Sequence, residues 1–254
     1  MKVVILAGGY GTRISEYTDI IPKPMVEIGQ YPILWHIMNW YAKYGSCEFI
    51  IALGYKSEII KSYFNNYHSM NSDFSVDLSS GVVQVINSNH KNWKVSLIDT
   101  GMNTMTGGRI LRLKDIIGTD TFMVTYGDGL SDINIDELVE HHEGHGKTAT
   151  ISAVHPTARY GELELDDLSN VKSFKEKPQL DRGRINGGYF VFNSEVFRYL
   201  KNDETILEKD PMENLVRDGQ LSAYVHNGFW QSMDTVREHK LLQDIWNSGK
   251  APWK

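Results

Sequence analysis

The first 25 residues constrain the fold most, because a short apolar run leads directly into a glycine-rich loop. Residues 3–7 are Val-Val-Ile-Leu-Ala, a run that is too short for a stable helix and predicts a buried parallel strand. Gly8, Gly9 and Gly11 can take positive φ and expose backbone N–H groups to a ligand. Successive N–H groups bind anions, and Arg13 adds a planar fork of donors that suits phosphate. The sequence therefore predicts a phosphate-binding loop after the first strand.

Two familiar glycine motifs fit this loop poorly. A dinucleotide-binding fingerprint has a third glycine three residues after the second, where this chain has Ile14. A P-loop has Gly-Lys-Ser/Thr, whereas residues 11–13 are Gly-Thr-Arg. A tight strand-to-helix turn without a ligand is the remaining alternative. Lys23 argues against it, because the prolines on both sides restrict the backbone and present the lysine stiffly.

The pattern Leu-Ala-Gly-Gly-x-Gly-Thr-Arg at residues 6–13, followed by Pro-Lys-Pro-Met at residues 22–25, resembles the sugar-phosphate nucleotidyltransferases. The resemblance extends over nearly the whole sequence and is strongest to the branch that uses CTP and glucose 1-phosphate. It implies transfer of CMP to a phosphorylated small molecule, with release of pyrophosphate. It also implies Mg²⁺ as cofactor, CTP and a phosphorylated acceptor as partners, and a homo-oligomer.

Strand and helix patterns alternate after the glycine loop, which is typical of a parallel sheet covered by helices. With the resemblance, this predicts an α/β fold: a Rossmann-like, mixed, mostly parallel sheet flanked by helices, with a small β excursion. We expect one nucleotidyltransferase domain over residues 1–254, with a β-rich insertion at 66–94 and an acceptor-binding half at 155–254. The insertion is an interaction arm, a lid over the site or a passive surface excursion.

A second glycine loop, residues 101–109, precedes a helical stripe of apolar residues. Glycines at a helix start expose N–H groups, and an arginine there is electrostatically unfavourable for the helix, which favours a functional role for Arg109. In the resembled family the matching loop closes over the base and ribose. The nucleotide contacts that the resemblance implies are Leu6, Ala7, Gly8, Gly9, Gly11, Thr12, Arg13, Lys23, Thr104, Gly107, Arg109, Gly127 and Asp128.

Two aspartates are candidate metal ligands. Asp128 follows an apolar strand at residues 122–126, where open α/β sheets bind ligands, and a carboxylate near a polyphosphate is sensible only with a cation between them. The alternative is a turn residue that bonds its own backbone. Asp234 precedes the last helix and is equally well placed as an N-cap. The resemblance implies that Asp128 and Asp234 hold Mg²⁺ together, in which case Thr235 caps the helix.

The motifs Glu-Lys-Pro at residues 176–178 and Asn-Gly-Gly at residues 186–188 are candidates for the acceptor site. Proline stiffens the lysine and the paired glycines leave room beside a strand, although a surface Glu–Lys pair is usually only solvated. The resemblance places Lys177 on the acceptor phosphate, with Glu176 and Asn186 facing sugar hydroxyls. The acceptor contacts that it implies are Tyr126, Gly161, Glu176, Lys177, Asn186 and Gly187.

The implied chemistry is attack by an acceptor phosphate oxygen on the α-phosphorus of the triphosphate. A phosphate monoester is largely dianionic at neutral pH and needs no general base, which agrees with the lack of histidine in these motifs. A divalent cation would bridge the α-phosphate and the acceptor phosphate. Lys23 is expected near the α-phosphate, Lys177 on the acceptor and Arg13 on the pyrophosphate. The expected catalytic residues are Arg13, Lys23, Asp128, Lys177 and Asp234.

Three further predictions concern ordinary structural roles. Ser57 is expected to cap a short helix that runs to residue 64. Asp132 is expected to cap a helix at residues 135–143. Cys47, which precedes an apolar strand, is expected to be a buried structural thiol.

Charge and cysteine content exclude several classes of protein. The net charge is −6 and no basic block occurs, which argues against binding to nucleic acid or to an acidic membrane. A single cysteine excludes an intramolecular disulfide and suits a reducing compartment. No apolar stretch approaches the length of a membrane span, and no signal sequence is recognisable. We therefore expect a cytoplasmic protein.

Several alternatives stay open at this point. The residues do not distinguish CTP from UTP or dTTP, and the acceptor could be another sugar 1-phosphate or a non-sugar phosphate used in capsule or polysaccharide synthesis. A non-catalytic, nucleotide-binding regulatory relative is a second class, although it would have no use for both carboxylates and Lys177. A nicotinamide-dependent oxidoreductase is a third, disfavoured by the missing glycine.

Overall fold

The computed structural model describes residues 1–88, 90–156, 162–165, 170–175 and 183–254. The strands among them are β1 Lys2–Leu6, β2 Glu27–Ile28, β3 Tyr31–Pro32, β4 Glu48–Leu53, β5 Ser72–Asp77, β6 Val82–Ser88, β7 Lys94–Asp99, β8 Phe122–Tyr126, β9 Gly129–Ser131, β10 Ala149–Val154, β11 Glu162–Leu165, β12 Val171–Lys175, β13 Ile185–Phe192, β14 Leu221–Val225 and β15 Trp230–Ser232. The α-helices are α1 Ser15–Thr18, α2 Ile33–Lys43, α3 Ser57–Asn65, α4 Tyr67–Met70, α5 Thr106–Arg112, α6 Lys114–Ile117, α7 Ile135–His145, α8 Asp210–Arg217 and α9 Val236–Asn247. The 3₁₀ segments in the described part of the chain are Thr12–Ile14, Lys23–Met25 and Ser194–Tyr199.

A seven-stranded sheet in the order β14-β10-β13-β8-β1-β4-β7 forms the centre of the molecule. β1 pairs in parallel with β4 and β8, and further parallel pairs join β4 to β7 and β10 to β14. β13 is antiparallel to both of its neighbours, β8 and β10. The predicted α/β fold with a mixed, mostly parallel sheet is therefore confirmed.

The sheet is covered on both faces, because alternate side chains of a strand point to opposite sides. In β1, Val3 and Ile5 enter one apolar core, which helices α2 and α9 close, while Val4 enters a second core, which α5 and α8 close. All three side chains are fully buried. Because β1, β4, β7 and β8 run parallel to one another, their carboxyl ends lie along one edge of the sheet. The loops that follow these strands meet there.

The two-stranded sheet of β9 and β15 closes this edge. The strands are antiparallel, and Ser232 lies opposite Gly129. Beyond this pair the backbone N–H of Met233 donates to the carbonyl oxygen of Asp128 over 2.8 Å. Two segments far apart in the sequence are thereby joined directly at the end of β8.

Residues 72–88 form an antiparallel hairpin of β5 and β6. Apolar side chains project from it into solvent, among them Phe74, Val76, Val83 and Val85. The hairpin is a separate two-stranded sheet and does not extend the central one. No helix in the described part of the chain has the length and apolar character that a membrane crossing requires.

Two of the predicted caps are wrong. Ser57 is the first residue of α3, and the residue before it, Lys56, has φ of 51° and makes no side-chain cap. The N-cap of α7 is Asn134, whose side chain accepts from the N–H of Glu137 over 3.2 Å. Asp132 instead lies 2.9 Å from the His226 ring nitrogen Nε2. The side chain of Cys47 is half-buried and not enclosed in the core.

Candidate active site

A cavity of about 690 Å³ opens at the carboxyl ends of β1 and β8. Its walls come from the loop after β1, the loop before α5, the start of β13 and the β9–β15 sheet. Most of the residues predicted at the site line this one cavity. They are Leu6, Ala7, Gly8, Gly9, Gly11, Thr12, Lys23, Thr104, Arg109, Tyr126, Gly127, Asp128, Asn186, Gly187 and Asp234.

The remaining predicted residues are not among the described residues that line the cavity. Gly161, Glu176, Lys177 and the Arg13 side chain lie outside the part of the chain that the structure describes. Gly107 is described but is not among the residues that line the cavity, and an added Cβ there would lie 2.8 Å from Thr205 Cγ2. Its lack of a side chain lets α5 pack closely there, and its contact with a nucleotide stays a prediction.

Lys23 joins the two candidate metal ligands. Its ammonium nitrogen lies 2.6 Å from Asp128 Oδ2 and 2.7 Å from Asp234 Oδ1. Lys23 is only 7% exposed, and burial alone would lower its pKa, but the two carboxylates outweigh burial and raise the pKa above its ordinary value. The lysine is therefore a fixed cation between two carboxylates at the base of the cavity.

The start of α9 frees the Asp234 side chain for this position. Thr235 is the N-cap, and its side chain accepts from the N–H of Glu238 over 3.3 Å. The Glu238 carboxylate in turn accepts from the N–H of Asp234 over 2.7 Å, which completes a reciprocal arrangement like a capping box. The expectation that Thr235 caps the helix when Asp234 turns inward is confirmed.

The donor set fits a divalent metal of the magnesium type. Asp128 and Asp234 converge on a single cationic atom from both sides, and carboxylate oxygens are the ligands that Mg²⁺ prefers. Among the described residues, no group of three or more His, Cys, Asp or Glu side chains could hold a metal ion. A two-carboxylate site suits Mg²⁺, which usually keeps several waters and takes further ligands from substrate phosphates.

The glycine loop is held in place by Arg109. This side chain is 4% exposed, and its guanidinium donates to the carbonyl oxygens of Gly8, Leu53 and Gly101 over 2.8–2.9 Å. Burial lowers the pKa of Arg109. Because these donors are used by protein carbonyls, Arg109 ties the loop after β1 to the ends of β4 and β7; its direct contact with a nucleotide stays a prediction.

Close approach by Arg109 explains the glycine at position 8 but not the one at position 9. Of the three glycines in the loop after β1, positive φ occurs at Gly11, with φ of 65°. An added Cβ on Gly8 would lie 2.2 Å from Arg109 Nη1, whereas one on Gly9 would meet no atom within 4 Å. Gly9, which lines the cavity, therefore has room for a side chain.

Sequence reasoning missed Glu208, which also lines the cavity. Its carboxylate accepts a short hydrogen bond from the Tyr126 hydroxyl and a second, of 2.7 Å, from the Thr106 hydroxyl. Burial and the adjacent carboxylate raise the pKa of Tyr126 well above its ordinary value. Glu208 lies in a charged, exposed segment between the 3₁₀ segment Ser194–Tyr199 and α8. No motif in that segment distinguishes it from a solvated surface residue.

Known proteins agree with this architecture. The sequence matches the family described as Nucleotidyl transferase over residues 2–239. The glucose-1-phosphate cytidylyltransferase of Salmonella typhi is 47% identical over 255 residues, which cover 100% of this chain and 99% of that protein. The crystal structure of HddC from Yersinia pseudotuberculosis has a TM-score of 0.71 and 26% identity, covering 96% of this chain and 99% of that one.

A second structure of HddC, complexed with GMP-PN, has a TM-score of 0.69 over the same share of both chains. The resemblance stated from the sequence is confirmed by the full-length relative and by the family match. The chain therefore belongs to the nucleotidyltransferase family.

Proposed function

We propose that this protein transfers CMP from CTP to glucose 1-phosphate, giving CDP-glucose and pyrophosphate, with Mg²⁺ as cofactor. The observation that carries the proposal is the convergence of Asp128, Asp234 and Lys23 in the cavity beside the glycine loop. The choice of CTP and glucose 1-phosphate follows the Salmonella typhi relative. Members of this family bind a nucleoside triphosphate and a sugar phosphate, and they generally use a divalent metal.

The reaction forms one P–O bond and breaks another. An oxygen of the acceptor phosphate attacks the α-phosphorus of CTP, and the bond from that phosphorus to the oxygen bridging the β-phosphorus breaks. The electron pair leaves with pyrophosphate. Because the attacking phosphate already carries negative charge, catalysis depends on alignment of the two substrates and on relief of their mutual repulsion.

The proposal gives each of the charged site residues a role in that task. Asp128 and Asp234 would hold the Mg²⁺, which when bound supplies positive charge that offsets repulsion between the two anionic substrates. Lys23, which contacts both carboxylates in the structure, would stabilise negative charge on the α-phosphate. We assign Arg13 with the amides of residues 8–12 to the departing pyrophosphate, and Lys177 to the acceptor phosphate.

The organisation of the chain follows from the same proposal. Residues 1–254 act as one nucleotidyltransferase domain, in which residues 155–254 supply the acceptor side and residues 66–94 are a β-rich insertion. We also infer a homo-oligomer from the resemblance to the family, which light scattering coupled to gel filtration tests directly.

A matrix of substrates tests the function. CTP, UTP, GTP and dTTP are each combined with a panel of sugar 1-phosphates and non-sugar phosphomonoesters, and released pyrophosphate is measured. We expect the highest kcat/KM for CTP with glucose 1-phosphate, loss of activity in EDTA and recovery with Mg²⁺. A different preferred pair would redirect the substrate assignment, and no pyrophosphate with any pair would contradict the enzyme proposal.

A further inference from the structure

A chain of hydrogen bonds along one wall of the cavity has no part in the chemistry proposed above. The Tyr126 hydroxyl donates to Glu208, and the Thr106 hydroxyl donates to the other oxygen of the same carboxylate. The side-chain amide of Asn186 donates to the Tyr126 hydroxyl oxygen over 3.1 Å. Glu208 thus connects the start of α5, on the nucleotide side, with the start of β13, on the acceptor side.

The proton positions along this chain are determined by the donors available. Tyr126 has one hydroxyl proton, which goes to Glu208, so its oxygen accepts from the Asn186 amide. The Asn186 side-chain oxygen accepts from the N–H of Gly188 over 2.8 Å. The orientation of the Asn186 amide is therefore fixed, and these bonds use only one of its two N–H groups.

The Glu208 carboxylate retains capacity for a ligand. Two carboxylate oxygens offer about four acceptor positions, and the two hydroxyl groups of Thr106 and Tyr126 take two of them. A carboxylate repels a phosphate but forms strong, charge-assisted hydrogen bonds with hydroxyl groups. A negative side chain on the wall of a cavity for anions is thus suited to the neutral, hydroxylated body of a ligand.

We propose that Glu208 is a specificity-determining residue of the acceptor subsite, where it accepts a hydrogen bond from a sugar hydroxyl and holds Tyr126 and Asn186 beside that sugar. This assignment rests on the proposed function. Its location is supported by the cavity, which Glu208 lines together with Tyr126, Asn186 and Gly187. It explains how the enzyme distinguishes a hydroxylated acceptor from another phosphomonoester of similar charge.

The test asks whether the Glu208 side chain interacts with one particular hydroxyl group of the sugar. The wild-type enzyme and Glu208→Gln are assayed at saturating CTP with glucose 1-phosphate and with its 2-, 3-, 4- and 6-deoxy analogues. We expect the wild type to lose about 10- to 100-fold in kcat/KM with one analogue, as removal of a hydrogen bond to a charged group predicts. Glu208→Gln should lose a similar factor with glucose 1-phosphate, without a further loss for that analogue.

A matched control separates this effect from a general change in charge. Glu204→Gln alters an exposed glutamate in the same segment. It should leave the ratio of kcat/KM between glucose 1-phosphate and each deoxy analogue unchanged. The KM for CTP should change less than threefold in both variants. Equal losses for all analogues in the wild type and Glu208→Gln, or an effect confined to the KM for CTP, would overturn the assignment.

Two further outcomes are distinguishable from these. If Glu208→Gln does not fold, Tyr126→Phe breaks the same chain of hydrogen bonds. It should raise the KM for glucose 1-phosphate without changing the KM for CTP, and an unchanged acceptor KM would contradict the proposal. A folded wild-type protein that is inactive on every acceptor would instead contradict the proposed function itself.

Discussion

Lys23 lies between two carboxylates at the centre of the candidate site. Its ammonium group lies within 2.7 Å of both Asp128 and Asp234, so it offsets the repulsion that two facing carboxylates would otherwise exert on each other. The same position shows that the two carboxylates can share one cation. Because the proposed metal would bind the same two carboxylates, Lys23 would exchange these contacts for the α-phosphate when the metal and the substrates enter.

Asp128→Asn should abolish turnover and leave the protein folded. The amide has nearly the same shape and can still accept from Lys23, but it removes the charge that would hold the metal. We expect a loss of at least about 10²–10³ in kcat, together with weaker Mn²⁺ binding measured by electron paramagnetic resonance. Asp136→Asn, on the exposed first turn of α7, is the matched control. Near-normal turnover of Asp128→Asn would remove the metal role from the mechanism.

Single residues differ in how well the sequence identified them. Asp128 was recognisable because it follows an apolar strand and has glycines on both sides. Glu208 was not, because only its contacts with Tyr126 and Thr106, which are distant in the sequence, distinguish it from a solvated surface residue. The bonds from the Arg109 guanidinium to protein carbonyls were not foreseen, because the spacing of a helix does not reveal where a side chain bonds; its contact with a nucleotide stays a prediction.

The loop after β1 depends on contacts from another element. Arg109 of α5 reaches beneath it and donates to the Gly8 carbonyl over 2.9 Å. The loop therefore obtains its shape from α5 as well as from its own glycines. Gly8 and Gly9 look equivalent in the sequence, but an added Cβ would meet Arg109 at the first position and open space at the second.

Gly8→Ala and Gly9→Ala should therefore separate stability from activity. At Gly8 the new methyl group would displace the buried Arg109, and we expect the free energy of unfolding to fall by about 1–3 kcal/mol. At Gly9 the fold should be unaffected or slightly more stable, while the methyl group narrows the cavity and raises the KM for CTP. Urea unfolding and steady-state kinetics on both variants test this contrast. Equal destabilisation of the two variants would argue against the role given to Arg109.

For the whole molecule, the alternating patterns were sufficient to predict the α/β class but not the strands that complete the site. β9 and β15 have three residues each, which is too short for periodicity to be read. Their pairing nevertheless brings Asp234 beside Asp128. The antiparallel β13 between β8 and β10 was likewise not predictable, because strand order depends on packing between distant segments.

The stability of the whole molecule should depend on pH through a buried histidine. His36 in α2 is 2% exposed, its Nε2 donates to the Ile28 carbonyl over 2.8 Å, and its ring packs against Trp246. Burial lowers its pKa from 6.5 to about 4, although backbone hydrogen bonds to Ile28 and Tyr31 oppose the shift. His36 is therefore neutral in the folded protein at pH values where the unfolded chain binds a proton.

This difference in protonation between the folded and unfolded states makes the folded protein less stable as the pH falls. The stabilisation is fully present above pH 6.5 and is lost as the pH falls toward 4, because protons then favour the unfolded chain. We expect a loss of about 3 kcal/mol in the free energy of unfolding over this range from His36 alone, measured by urea unfolding at several pH values. His36→Gln should show a shallower slope, with the remainder coming from groups such as His142, whose pKa burial also lowers. Parallel curves for the wild type and His36→Gln would show that the pH dependence arises elsewhere.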